Sequence, residues 1–256
     1  MIKFFKTIRQ NLLSEGKSVK YLKYAIGEIV LVMIGIILAL QFNNWNETRK
    51  IALEETVLIK GLIQNIEQDI INFRDLIESN KQYIIANKNT LSAFKTDTIR
   101  ENKRLLMTYI LGGTVSASFV PTQTIYNEMK FSGKVNYILN DSINIQIQKY
   151  YDRVSEILKV QTSNSKLMHE LSVSTMYYVD LNSLINLVLP EYAKIELDAF
   201  DNSFFYEPLK SDKVKEFANL ISIRQYLMSL IVSSFENGLK NAITLKQNMN
   251  EYLDTK

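Results

Sequence analysis

Apolar residues fall along this chain in two patterns: one unbroken run near the N-terminus, then three long stretches in which they recur every three to four positions. The unbroken run, YAIGEIVLVMIGIILALQFNNW from Tyr24 to Trp45, holds a single carboxylate, Glu28. As a helix rising 1.5 Å per residue it extends roughly 31 Å, the thickness of a bilayer's hydrocarbon core. Tyr21 and Tyr24 flank one end and Phe42 and Trp45 the other, where amphipathic rings settle at the headgroup level. The leader is too long for a signal peptide and no small-x-small cleavage pattern follows Leu40, so the run reads as an uncleaved anchor.

The periodic stretches predict helices. Ile59, Ile63, Ile66, Ile70, Phe73, Ile77, Asn80 and Ile84 alternate spacings of four and three, a heptad seam with one polar interruption. No Pro or Gly separates this seam from Trp45, so the helix continues the span and ends near Leu91. A second seam follows Asn140-Asp141, from Ile143 through Ile147, Tyr150, Val154 and Ile157 to Met168 and Leu171. A third follows Ser211-Asp212, from Val214 through Phe217, Ile221, Arg224, Met228, Ile231 and Phe235 to Gly238, Ala242, Leu245, Met249 and Tyr252. Shorter helical patterns occupy 101–111, ended by Gly112-Gly113, and 123–131, ended by Gly133 as a left-handed cap.

The expected fold is all-α: a single transmembrane helix continuing into an extracytoplasmic bundle of about three long antiparallel helices, with the two short helices at the distal tip. Residues 1–23 form a basic leader, 24–45 the span and 46–256 the bundle. The second long helix is expected to return toward Pro190, bringing the linker with Phe200, Phe204, Phe205 and Tyr206 near the bilayer. There these rings either close the end of the core or enter the interface.

Charge sets the orientation. Of 30 Lys and Arg, six precede the span against Glu15 alone, leaving 24 basic and 26 acidic groups for the rest. Basic residues stay on the cytoplasmic side, so the N-terminus is expected inside and the body outside, in the periplasm of a Gram-negative cell with the anchor in its inner membrane. The leader is either a short helix lying on anionic lipid or a tail that only sets topology. The nearly neutral body lacks a nucleic-acid footprint. Cysteine is absent, which excludes a disulfide framework and a thiolate nucleophile.

The stretches MIKFF, IRQNLLSE and YAIGEIVLVMIGIILALQFNNWNE resemble the N-terminus of a family of uncharacterised bacterial single-pass membrane proteins, known only as a domain of unknown function. The later PTQTIYNEMKFSG is similar to an element of the same family, with Phe131 where a small polar residue is expected. The resemblance implies a single-pass protein with a helical body and brings no catalytic residues.

Candidate chemistry is sparse. His169 is the only histidine, and Lys166 stands where a di-iron bundle would need Glu, so neither metal nor other cofactor is expected. No Gly-x-Ser-x-Gly elbow is present, and LGGTVSAS lacks the lysine of a phosphate loop. Glu67 with Asp69, and Asp75 with Glu78, read as solvated helix faces. Within the seams, Asn80 is a candidate register-setter, and Arg224 either meets an acid of a facing helix or reaches the rim.

Two places are candidates for recognition. The distal segment with Phe119, Pro121, Thr124, Tyr126 and Phe131 is either a recognition loop or a helix entrance with Tyr126 and Phe131 packed inward. In the span, Gly35 and Ala39 each fall within about 20° of Glu28, and Gly35 and Ala39 form a small-xxx-small pair suited to close helix approach. The expected partners are the bilayer and a second copy or another membrane protein. The expected function is a membrane-anchored interaction or sensory module without catalytic activity. The alternative is an accessory subunit of a periplasmic enzyme, or such an enzyme itself.

Overall fold

The computed structural model describes residues 18–93, 117–178, 190–193 and 210–256, and all regular structure among them is helical. Four α-helices follow one another: α1 Ser18–Ala93, α2 Thr124–Ser132, α3 Asp141–Met176 and α4 Asp212–Asp254. The chain divides into two compact units, Met1–Val57 and Leu58–Lys256, each described by itself.

In the first unit, α1 carries the apolar run with its side chains outward. Ile29, Leu31, Leu38 and Leu40 are exposed, as are Phe42 and Trp45, whose rings lie 5.8 Å apart. A helix apolar on every side and covered on none suits hydrocarbon rather than water. It is the one helix among the described residues long and apolar enough to cross a membrane.

The second unit closes a core of its own. The heptad positions of α1 from Ile59 to Asn80 are buried, as are those of α4 from Val214 to Met249, and Ile143 to Ile157 of α3 join them. At mid-height Phe73 stacks on Phe119 with centroids 4.0 Å apart, and Phe235 tilts against both. Gly238 lets α4 close on this cluster: a Cβ there would meet Phe73 Cζ at 2.6 Å and Ile157 Cδ1 at 2.9 Å. The helix starts follow the expected chemistry. Asn140 Oδ1 accepts the Ile143 N–H and Ser211 Oγ accepts the Val214 N–H. Gly133, at φ 72°, ends α2 in the left-handed region.

The direction of the helices departs from expectation. Tyr150 meets Asp69, and Met168 packs near Ile84, so α3 runs parallel to α1 rather than back along it. Only α4 is antiparallel to both: Glu67 pairs with Lys246 and Asn87 with Met228, while Asn164 meets Leu227 and Gln146 meets Asn248. The return is made by residues 117–132. Ala117 bonds Asn80, Thr122 bonds Asp69, and Ile125 lies over Gly61. Thus α2 lies on the flank of α1, not at a distal tip.

The physical reason is reach. Nineteen residues of α1, from Gly61 to Asn80, rise about 28 Å, and extended chain covers that in some eight residues. The non-helical residues 117–123 supply most of that length before α2 begins. Heptad spacing reports which side chains are buried but not which way the helix points, and a non-helical return leaves no periodic trace. The C-terminal end of α3 therefore lies beside the Ile84 end of α1, opposite Leu58. The expected helix at 101–111, Gly112-Gly113, the leader up to Lys17 and the aromatic linker with Phe200, Phe204, Phe205 and Tyr206 lie outside the described residues.

Candidate functional site

Extended backbone has no partners of its own, so each buried N–H and C=O in 117–122 needs one from elsewhere. Side chains of the long helices supply them. Asn80 Nδ2 donates to the Ala117 carbonyl at 3.2 Å. Gln161 clamps Phe119 twice, its Oε1 accepting the N–H at 2.7 Å and its Nε2 donating to the C=O at 3.2 Å. Asp69 Oδ1 accepts the Thr122 N–H at 2.7 Å, and its Oδ2 accepts the Tyr150 hydroxyl at 2.8 Å. Burial pushes the Asp69 carboxyl above its ordinary range, opposed by these two bonds. Burial and the Asp69 charge push the Tyr150 phenol up.

Asp69 was expected on a solvated face and is instead fully buried. Its pair partner in sequence, Glu67, is exposed and bridges Lys246 at 2.9 Å. A buried aspartate is tolerable only with hydrogen-bond partners, and both partners here lie far along the chain, where local spacing does not reveal them. Asn80, the polar position in the α1 seam, is buried and its amide donates to the returning segment at Ala117.

The candidate recognition segment is thereby divided. Phe119 is 1% exposed in the central aromatic cluster. Tyr126 stacks on Tyr151 at 3.9 Å, with Lys130 Nζ 5.6 Å from its ring centroid. Pro121 is half-buried and Thr124 exposed at the start of α2. Phe131 is 90% exposed, apart from the other two rings. The five residues thus form no common surface, and of the two rings the helix-entrance reading turns inward Tyr126 packs while Phe131 does not. In the span, Glu28 is half-exposed and Ala39 exposed, and a Cβ added at Gly35 would meet nothing within 4 Å.

The second buried polar centre is unlike the first. Arg224 is 0% exposed, and its Nε, Nη1 and Nη2 make no hydrogen bond. It neither reaches the rim nor, among the described residues, meets an acid. Burial holds its pKa down to about 10, so the guanidinium keeps its charge at neutral pH. One turn along α4, Met228 Sδ receives the Asn87 amide at 3.2 Å, and Asn87 Oδ1 is itself buried without a donor.

Elsewhere, a shallow groove between α3 and α4 is lined by Lys149, Arg153 and Lys240 together with Asp152 and Glu156, and Arg153 already pairs with Glu156 at 2.7 Å. Its mixed charge selects no ligand class. His169 is exposed on α3, and among the described residues no three His, Cys, Asp or Glu converge on a point that would hold a metal ion.

No curated protein and no solved structure matches this chain. A family model does match, over residues 28–205, from Glu28 in the apolar run through α1, α2 and α3 into the linker before α4. The chain belongs to that family, a family of unknown function (DUF6090).

Proposed function

We propose that this protein is a membrane-anchored helical interaction module that acts by associating with a partner protein rather than by chemistry of its own. One observation carries this reading: from Ile26 to Leu40 the apolar side chains of α1 are exposed on every side, while the unit from Leu58 onward closes a separate core. Such a surface calls for a bilayer, and a bilayer leaves the second unit as a tethered domain. The six basic residues before the span, against Arg49 and Lys50 mixed with Glu47, Glu54 and Glu55 after it, favour a cytoplasmic N-terminus in the inner membrane and a periplasmic body.

Within the span, the partner face is the stripe of Glu28, Gly35 and Ala39. Gly35 and Ala39, four residues apart on that face, support this assignment, because close helix approach needs small side chains. A second copy or another membrane helix meets that face. Tagged protein extracted in mild detergent and resolved by pull-down with mass spectrometry is expected to retain a membrane partner or a second copy. Gly35→Ile is expected to cut the signal in a membrane two-hybrid assay several-fold. A chain that is monomeric, recovers no partner and ignores Gly35→Ile is not an association module.

A further inference from the structure

Arg224 raises a question of charge balance. A guanidinium taken out of water without a counter-charge is among the costliest groups a core can hold, and cores that keep one pair it. Its surroundings follow from register. Asn87 touches Met228, and α1 and α4 are antiparallel, so three residues onward in α1 and four back in α4 bring Thr90 level with Arg224. Met168 of α3 packs in the same cluster as Met228, and four residues onward stands Ser172. Both Thr90 and Ser172 are buried, and their hydroxyls now donate to their own helices, to the Ala86 and Met168 carbonyls at 2.9 and 2.7 Å.

Among the described residues the layer thus holds one fixed cation and two hydroxyls whose protons can turn, with the neutral Asn87 amide one turn away. The unpaired Asn87 oxygen can take one N–H but leaves the charge uncompensated. A planar fork with every nitrogen unengaged matches two oxygens held side by side, as in a carboxylate or a phosphate. A single positive charge calls for a single negative one.

We propose that the bundle binds one small monoanionic oxyanion, a carboxylate or a phosphate, at Arg224 between α1, α3 and α4, with the Thr90 and Ser172 hydroxyls turning to donate to it. The anion is held as part of the folded core, because the site is closed to solvent. This goes beyond the anchored-module reading and stands independently of it: a failed pull-down leaves the anion site untouched, and a failed titration leaves the association face untouched.

The test is thermal melting of the full chain in phospholipid-free detergent, with acetate or phosphate replacing chloride at constant ionic strength. The melting point is expected to rise saturably, by roughly 5 to 10 °C at a hundredfold excess over the dissociation constant. Arg224→Met is expected to abolish the rise. Arg224→Lys, which keeps the charge and loses the fork, is expected to weaken the apparent affinity at least tenfold. A response to short-chain phosphatidylglycerol alone keeps the oxyanion and makes a lipid headgroup its source. No saturable shift of the wild-type chain with any of the three probes overturns the proposal, whether or not the variants fold. So does an equal response in Arg224→Met.

Discussion

Asp69 and Arg224 are both charged residues at full burial in one helical unit, and they are treated in opposite ways. Asp69 is engaged on both oxygens, by the Thr122 N–H and the Tyr150 hydroxyl, and through them it ties α1, the returning segment and α3 together. Arg224 offers three nitrogens and is met by none. The contrast separates two uses of buried polarity. A satisfied acid specifies which segments pack together, whereas an unsatisfied base leaves a free-energy deficit that another molecule can remove.

Three substitutions break or sharpen this contrast. The largest effect is expected from Asp69→Ala, which strands the Thr122 N–H and the Tyr150 hydroxyl in the core and is expected to cost about 3 kcal/mol. A fall in the denaturant midpoint, with earlier proteolysis between Ala117 and Ser132, would register it. Arg224→Met is expected to move stability the other way, by about 2 kcal/mol in chloride buffer, because it replaces a charge that no described residue compensates with an apolar side chain of similar length. Equal losses from both variants would erase the distinction between the two centres.

The smallest effect concerns pH. A carboxyl whose folded pKa is raised binds its proton more readily folded than unfolded, so the folded state carries more protons between the ordinary value of 3.8 and the raised one. Through that window the Asp69 contribution weakens as pH rises and recovers as pH falls. Compared with Asp69→Asn, which does not titrate, the wild-type chain is therefore expected to gain relative stability on going from pH 7 toward pH 4. Paired chemical-denaturation curves at the two pH values check the sign, and a relative loss on acidification would contradict it.

How much of this was legible in the sequence depends on the range of the interaction. Positions set by local periodicity were readable: every α4 seam residue from Val214 to Met249 is buried, and the starts at Asn140 and Ser211 carry side-chain caps. The burial of Asp69 was not, because its partners lie 53 and 81 residues away and one of them is a backbone amide. Nor was the parallel course of α1 and α3, since the segment that makes it possible is extended and held by single side chains such as Gln161. Arg224 stood out in its seam. Both readings of it supposed either a partner acid or an escape to water, and its fully buried side chain rules out the second.

The antiparallel seat of α4 has a consequence measured in time. Asn87 meets Met228 across 141 residues of chain, and Phe73 awaits Phe235 at a similar separation. At a synthesis rate of about 5 to 20 residues per second, the apolar face of α1 stays only partly covered for roughly 10 to 30 seconds before the helix that completes its core has been made. For that interval the nascent chain has only the returning segment and α3 to set against that row of isoleucines. Holding it apart from other chains is a task for the cell's folding machinery before it is a property of the finished fold.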